Sequence, residues 1–580
     1  MRGMPNVHKA SVAQAVDGEQ PAPGHRRLPR RAWRRDAIAL AGLLTACALT
    51  AVRMRGLIVR PLWFDESWRA WHLTGPSLDL RSMYSPATLG WLLAEKSSVA
   101  VLGNHDWALR VPSAFAVVAM VVATYATARS WLRPLPSGLV AGALLINPAL
   151  LAYGFQLKPM GTDALFAVVI LLAWIRLPVS TPWWRLLRAV ALGALATCSI
   201  AGAFVLAALL TLDLLTAVRR GQAGRTAIDV TVAGAIVLLH AATVIRLQTF
   251  LLHYPSFWDP WYLPHHPAAA AQVAARELAG FFPELLTGAA GNPDSDVAKH
   301  FESLLPPLLT WGAAVAQLVA AGLGARVALA TRAGRGLLAA VAGTLVIQLG
   351  TSWLQLWPFG FVRVNIFLVP LWYLLLGLGA AAAARVVGRR AWPLARLAGA
   401  VLLVVLLVVV PYDLRAAGTV AYRARTVPRF NGNLRAVVAT ARQLAQPGTL
   451  AVVDLEGHHG FGPQGKGWRY YMERYEEPSR QTRNAPRIPA ADTLFLDEAN
   501  PEALRGFLAA HPGPTRLLAY YSQGVRPVMV ARLEAIADAA GYRPVLTRDF
   551  TTDLSGTLVL YARPDPGRGT GPVSTVPASA

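Results

Sequence analysis

The amino-acid sequence predicts a polytopic α-helical membrane protein with an extracytoplasmic mixed α/β domain at its C-terminal end, and three observations carry that prediction. Of 580 residues, 54% are apolar and only 15% charged, against roughly 25% charged in soluble proteins, and the mean hydropathy is +0.40. Apolar runs long enough to cross a bilayer recur up to residue 413, after which short strand-like and helix-like windows alternate. The 55 Lys and Arg against 32 Asp and Glu leave a net charge of +23. In a membrane protein such an excess belongs to cytoplasmic loops, so a lipid bilayer and not nucleic acid is the expected partner. Cys47 and Cys198 both lie in apolar runs, which excludes a disulfide framework and a cysteine metal cluster.

Residues 1–36 are polar, carry Pro and Arg, lack periodicity and end in RRLPRRAWRR, which predicts a disordered basic cytoplasmic tail. A membrane helix needs about 20 residues to cross about 30 Å of hydrocarbon. Stretches of this kind lie near 37–58, 111–130, 138–156, 163–178, 226–250, 305–328, 336–355, 361–384 and 393–413. Residues 186–217 are too long for one span and divide at TCSIAG (Thr197 to Gly202) into two short helices. That gives about eleven crossings in a membrane domain 37–413.

Arginine placement is an independent test, because cytoplasmic loops hold the Lys and Arg. With the N-terminus inside, the inner segments contain Arg34 and Arg35, Arg129 and Arg133, Arg185 and Arg188, Arg219 and Arg220, Arg332 and Arg335, and Arg389 and Arg390. The alternation works only if 186–217 is a hairpin. Arg53 and Arg55 break it. Three segments then face outward: loops 59–110 and 251–304, and everything after 413. In the last, windows 434–445, 501–511 and 527–540 read as helices, and TLAVVDL, TLFLD, RLLAYYS, RPVLTRDF and GTLVLYARP read as strands. This predicts an α/β domain over 414–563 and a flexible tail over 564–580.

The candidate chemistry lies in the outer turns. RPLWFDESWRAWHL places Asp65 and Glu66 just after the first membrane helix, among Trp63, Phe64, Trp68 and Trp71. These acids are either solvated within an interfacial aromatic belt or a base in a partly apolar pocket, where desolvation raises a carboxyl pKa. Residues 86–103 are apolar but carry Glu95 and Lys96 midway, which suits a helix lying along the interface. FQLKPMGTDALF offers Lys158 and Asp163; the lysine either snorkels or meets an anionic headgroup. Arg363, at the mouth of a late span, is an exception on the outer side and serves as anchor or phosphate clamp. In HYPSFWDPWYLPHHP, His253 and Trp258 lie among aromatics on which a sugar can stack, and the His spacing is poor for a metal. No metal or cofactor is expected.

WFDES, SPATLGWLLAEK, GNHDWALRVPSA, FQLKPMGTDALF and WPFGFVR together resemble the C-type membrane glycosyltransferases over about 60–415. The likeness is to the bacterial relatives of dolichyl-phosphate-mannose protein mannosyltransferases, including the aminoarabinose transferases that modify lipid A. The resemblance implies that Asp65, with Glu66 beside it, is the catalytic base. It further implies that Lys158 and Arg363 contact the lipid phosphate, that Asp163 touches substrate, and that the donor is a polyprenyl-phosphate-linked sugar. The expected function is an inverting hexosyl or pentosyl transferase of the cytoplasmic membrane, multi-pass, with its active site on the extracytoplasmic face. The acceptor would be a cell-wall glycan, a glycolipid or a protein. The alternatives are a secondary transporter, for which Asp213 and His240 are the intramembrane candidates, and a non-catalytic scaffold presenting the outer domain.

Overall fold

The computed structural model describes residues 30–62, 64–83, 86–248, 262–275, 278, 307–359, 362–388, 393–426, 434–454, 463–476, 485–496, 502–522, 527–550, 556–564 and 574–575. Among the described residues, six helices are long and apolar enough to cross a membrane, or seven if a pair bent by 62°, Pro134–Ile146 and Pro148–Gly154, is one span. The bend falls at Asn147-Pro148, where Pro cannot donate a helix hydrogen bond, and the Asn147 side chain accepts from Leu150 N–H at 2.9 Å instead. Other apolar helices, Met160–Arg176 and Pro182–Ala196, accompany them. The first helix, Arg30–Arg53, begins inside the segment expected to be a disordered tail over 1–36. Ala and Arg are strong helix formers, and the composition that suggests disorder stops favouring it there; residues 1–29 lie outside the described part.

The stretch 186–217 is a hairpin of Pro182–Ala196 and Ile200–Arg219. Ser199 caps the second helix, accepting from Gly202 N–H at 2.8 Å. Contacts sort the charged groups to two ends. At one end Asp36 pairs with Arg129 (2.7 Å), Asp229 with Arg185 (2.6 Å), and Asp213 with Arg188 (3.1 Å) and Arg332 (3.7 Å). At the other, the hairpin turn meets the first outer loop, where Thr88 Oγ1 donates to the Cys198 carbonyl at 2.8 Å. Arg53, an exception to the alternation, lies against Gly418, where an added Cβ would come within 2.7 Å of its guanidinium.

The first outer loop carries two helices, Phe64–Leu73 and Leu89–Leu102. The first has Asp65 and Glu66 in its opening turn, where carboxylates favour the positive helix end. The second buries Trp91, Leu92, Glu95 and Ser98 and exposes Leu93 and Val101, the pattern of a helix lying at an apolar boundary. Of the loop 251–304, only residues 262–275 and 278 are described; Leu263 there donates its N–H to Ser352 Oγ at 3.0 Å.

The C-terminal domain contains a six-stranded sheet ordered β2-β1-β3-β5-β4-β6. Its strands are β1 Leu450–Asp454, β2 Thr493–Leu496, β3 Arg516–Ser522, β4 Arg543–Asp549, β5 Gly556–Ala562 and β6 Ser574–Thr575. β1 runs parallel to β2 and β3, while β5 is antiparallel to β3 and β4. The first five coincide with the five β-branched or aromatic runs. β6 pairs with β4, inside the segment 564–580 expected to be a flexible tail; a Ser-Thr pair beside an open sheet edge has backbone groups to satisfy there.

Side chains alternate across the sheet. Leu450, Val452, Leu517 and Ala519 pack with Leu504, Leu508 and Leu533 of the helices Glu502–Ala510 and Pro527–Ala539. Ala451, Val453, Leu518 and Tyr520 belong to a core that also holds Leu62, Trp71, Trp91 and Leu157 of the membrane domain. One face of the sheet is thus closed by Glu502–Ala510 and Pro527–Ala539, and the other faces a core that the helices Leu434–Leu444 and Pro463–Arg469 share with the loop after the first membrane helix.

Candidate active site

The helix Phe64–Leu73 is buried from Glu66 to Leu73, although it contains Glu66, Arg69 and His72. Each must therefore be matched. Glu66 is 0% exposed and accepts from Arg110 Nε at 3.0 Å and Nη2 at 2.5 Å, a bidentate fork with an equally buried guanidinium. Its Oε1 also accepts from the Leu157 N–H at 2.6 Å. Burial by itself would raise this carboxyl, but Arg110, Arg60 and the Leu157 N–H outweigh it and hold it below the usual range. Glu66 is therefore an ionised anchor. Glu95, also fully buried, is pushed well above the usual range by burial.

Arg110 does more than pair. Its Nη1 donates to the carbonyls of Ile58 (3.1 Å) and Arg60 (2.5 Å), and its Nη2 to that of Pro61 (3.1 Å). One guanidinium thus holds the end of the first membrane helix, the Arg60-Pro61 link and the acid helix in register. Asp65 lies in the first turn of that helix, and its side chain lies outside the described part.

Leu157 carries Lys158 next in sequence, so the Glu66 hydrogen bond places the Gln156–Lys158 turn against the acid helix. Lys158 is 1% exposed, and its carbonyl lies 3.4 Å from Ser113 Oγ. An ammonium this deeply enclosed does not snorkel, which removes that alternative. Asp163 follows in the first turn of Met160–Arg176, 7% exposed, and accepts from Ser199 Oγ at 2.5 Å. The structure therefore brings Glu66, Lys158 and the hairpin turn beside Asp163 to one end of the membrane domain. Arg363 has its backbone in the short helix Val362–Asn365, with its side chain outside the described part, and His253 and Trp258 lie wholly outside it. Among the described residues no group of three or more His, Cys, Asp or Glu is arranged to hold a metal ion.

The C-terminal domain packs on the acid helix. Trp71 is sandwiched by Arg474 (3.4 Å) and Arg469 (4.2 Å), and the Arg474 guanidinium donates to its carbonyl. His72 Nε2 lies 3.0 Å from Lys466 Nζ, so the ring accepts and the ammonium donates. Burial, with Lys466 and Arg474 adding repulsion, lowers the His72 pKa to about 3. Gly462 to Gly467, glycine-rich text in the sequence, leads into the helix Pro463–Arg469. There a Cβ on Gly467 would fall 2.4 Å from Ser67 Oγ, so glycine permits close approach to the acid helix. Sequence reasoning missed Arg110, although it breaks the positive-inside rule in the same way as Arg363. Arg435, Asp106 and Tyr471 carry no local signal.

Solved structures share the overall fold of this chain. Among solved structures, ArnT from Cupriavidus metallidurans in the apo state superposes with a TM-score of 0.52 at 12% identity, over 90% of this chain and 98% of that one. The same protein bound to undecaprenyl phosphate aligns with a TM-score of 0.49 at 13% identity, over 92% and 99%. AglB from Archaeoglobus fulgidus, an archaeal oligosaccharyltransferase in complex with an inhibitory peptide and a dolichol-phosphate, aligns at 0.49 and 12%, over 91% and 75%. At these identities the likeness is one of fold. No family model matches the sequence, and no curated protein matches it.

Proposed function

We propose that the chain is an inverting glycosyltransferase that moves a hexosyl or pentosyl group from a polyprenyl-phosphate-linked donor to a cell-envelope acceptor at the outer face of the cytoplasmic membrane. The acceptor is a cell-wall glycan, a glycolipid or a protein. The observation that carries the reading is the seating of the acid helix. A fully buried Glu66–Arg110 pair and the Leu157 N–H fix its first turn against the segment that carries Lys158, and Asp65 begins that same turn. A lipid phosphate is already a good leaving group, so its departure calls for cations, supplied by Lys158 and Arg363. The acceptor hydroxyl needs a base. Asp65 fills that role because Glu66 is committed to Arg110. A single displacement at the anomeric carbon inverts it: the acceptor oxygen forms the new bond as the phosphate oxygen leaves, and the hydroxyl proton passes to Asp65. Asp163 and the aromatic loop with His253 and Trp258 line the sugar side.

The transporter reading loses ground because Asp213, one of its two intramembrane candidates, is taken up by Arg188 and by Trp174 Nε1 at 2.8 Å. The test is Asp65→Asn, which preserves size and removes basicity. Turnover should fall about 10²-fold or more while the protein inserts normally and still binds a polyprenyl-phosphate sugar. Near-normal turnover would refute the assignment.

A further inference from the structure

The junction between the membrane and outer domains holds a polar cluster to which glycosyl transfer as proposed assigns no part. Arg60 to Leu62, between the short helix Arg55–Val59 and the acid helix, belong to no helix or strand, so their carbonyls need partners from elsewhere. Arg110 serves the carbonyls of Ile58, Arg60 and Pro61. Leu62 is left to the outer domain. Its N–H donates to the Tyr471 hydroxyl oxygen at 2.7 Å, and that hydroxyl lies 3.3 Å from the Leu62 carbonyl and 3.2 Å from Asp106 Oδ1. Asp106, 2% exposed, accepts from Arg435 Nη1 through its other oxygen at 3.2 Å. Arg435 in turn lies over the Tyr475 ring at 4.8 Å.

Leu62 is three residues ahead of Asp65 and four ahead of Glu66. Asp106 is four residues ahead of Arg110. The cluster thus touches both strands of chain that enter the Glu66–Arg110 pair, and two of its members, Tyr471 and Arg435, come from the outer domain.

We propose that Tyr471, held by Asp106 and Arg435, is a positioning residue for glycosyl transfer, through which the outer domain fixes Leu62 and hence the orientation of the acid pair. The inference rests on the reading of Asp65 and Glu66 as the acids of the site. A hydroxyl that accepts from an amide and donates to a carboxylate is itself held from two sides, so it transmits position rather than merely filling space. A reacting group displaced by about 1 Å costs about 10²-fold in rate, whereas one neutral hydrogen bond contributes only about 1 kcal/mol to stability. Removing the hydroxyl therefore changes catalysis more than folding.

The experiment uses the full chain in lipid nanodiscs, with polyprenyl-phosphate mannose or arabinose as donor, whichever the wild type consumes. Tyr471→Phe should lower kcat about 5–20-fold and leave the donor KM within about twofold. Exchange of the Leu62 amide, followed by deuterium uptake of the peptide spanning it, should quicken about fivefold or more. Gly467→Ala, which pushes the outer domain off Ser67, should reproduce both effects by a different route. Wild-type kcat with wild-type exchange in Tyr471→Phe would overturn the proposal, and so would faster exchange with unchanged kcat. Asp65→Asn, run alongside, separates the failures: if it keeps turnover, the acid-pair reading falls and takes the positioning role with it. If it alone loses turnover, only the role of Tyr471 is refuted.

Discussion

Two charge clusters, one at each end of the membrane domain, use the same residue types for different ends. At the outer end Glu66 and Arg110 are both 0% exposed and pair one to one, with the remaining donors of the guanidinium spent on backbone carbonyls. At the other end Asp213, 19% exposed, is shared by Arg188, which is 4% exposed, and Arg332, which is 52% exposed, while both arginines also lie near the Trp174 ring. The first arrangement is closed and admits one geometry. The second is open on the Arg332 side and has a spare positive charge, which suits anchoring in a headgroup layer. Burial with full satisfaction specifies position; sharing with exposure provides attachment.

The largest expected effect breaks the outer pair. Arg110→Ala strands a buried carboxylate and frees three carbonyls, at a cost of about 3–5 kcal/mol, whereas Asp213→Ala should cost less, because Arg332 reaches water and only Arg188 is left buried. Thermal unfolding in the same detergent checks both, and equal costs would erase the distinction. Next in size is donor binding. Lys158→Ala should weaken the affinity for a polyprenyl-phosphate sugar about tenfold, measured by titration calorimetry, while Arg188→Ala should leave it unchanged; a reversal would move the phosphate site to the other end.

The smallest effect sharpens how the outer end responds to pH. Burial, opposed by Arg435 and Arg110, leaves the Asp106 carboxyl raised to about 7. A raised folded pKa contributes stability that is present below about 3.8 and lost as pH climbs through 7. His72, lowered to about 3, contributes the reverse: stability present above about 6.5 and lost as pH falls toward 3. Between pH 5 and 6.5 His72 opposes Asp106 and the likewise raised Glu95, so the wild-type Tm should fall only shallowly as pH rises there. His72→Gln should leave the Asp106 slope uncovered, with Tm falling more steeply as pH rises across that window. A flat profile in the variant would mean that Asp106 does not hold its proton there.

How much of this was legible in the sequence follows from distance along the chain. Spans, strands and the hairpin are local patterns, and each predicted strand from TLAVVDL to GTLVLYARP is found. The acids after the first helix are legible for the same reason, since an acidic pair among aromatics at a membrane boundary stands out. Arg110 sits 44 positions from Glu66, and only its violation of the charge rule marks it. Gly467 looks like loop text until its helix is laid on Ser67. Arg435 and Asp106 are 329 positions apart, too far for any periodicity to join them. The first-helix boundary was misjudged because Arg signals both a solvated tail and a good helix former.

The contact between Leu62 and Tyr471 spans 409 positions of sequence, and that separation has a meaning in time. On a ribosome adding about 5–20 residues per second, Leu62 enters the membrane roughly 20–80 seconds before its partner exists. Throughout that interval the Leu62 amide and the Asp106 carboxylate must be served by water or by translocation machinery. The segment that seats the acid pair reaches its final form only after the C-terminal domain has been made and has docked on it, so a nascent or truncated copy presents the acids without their final alignment.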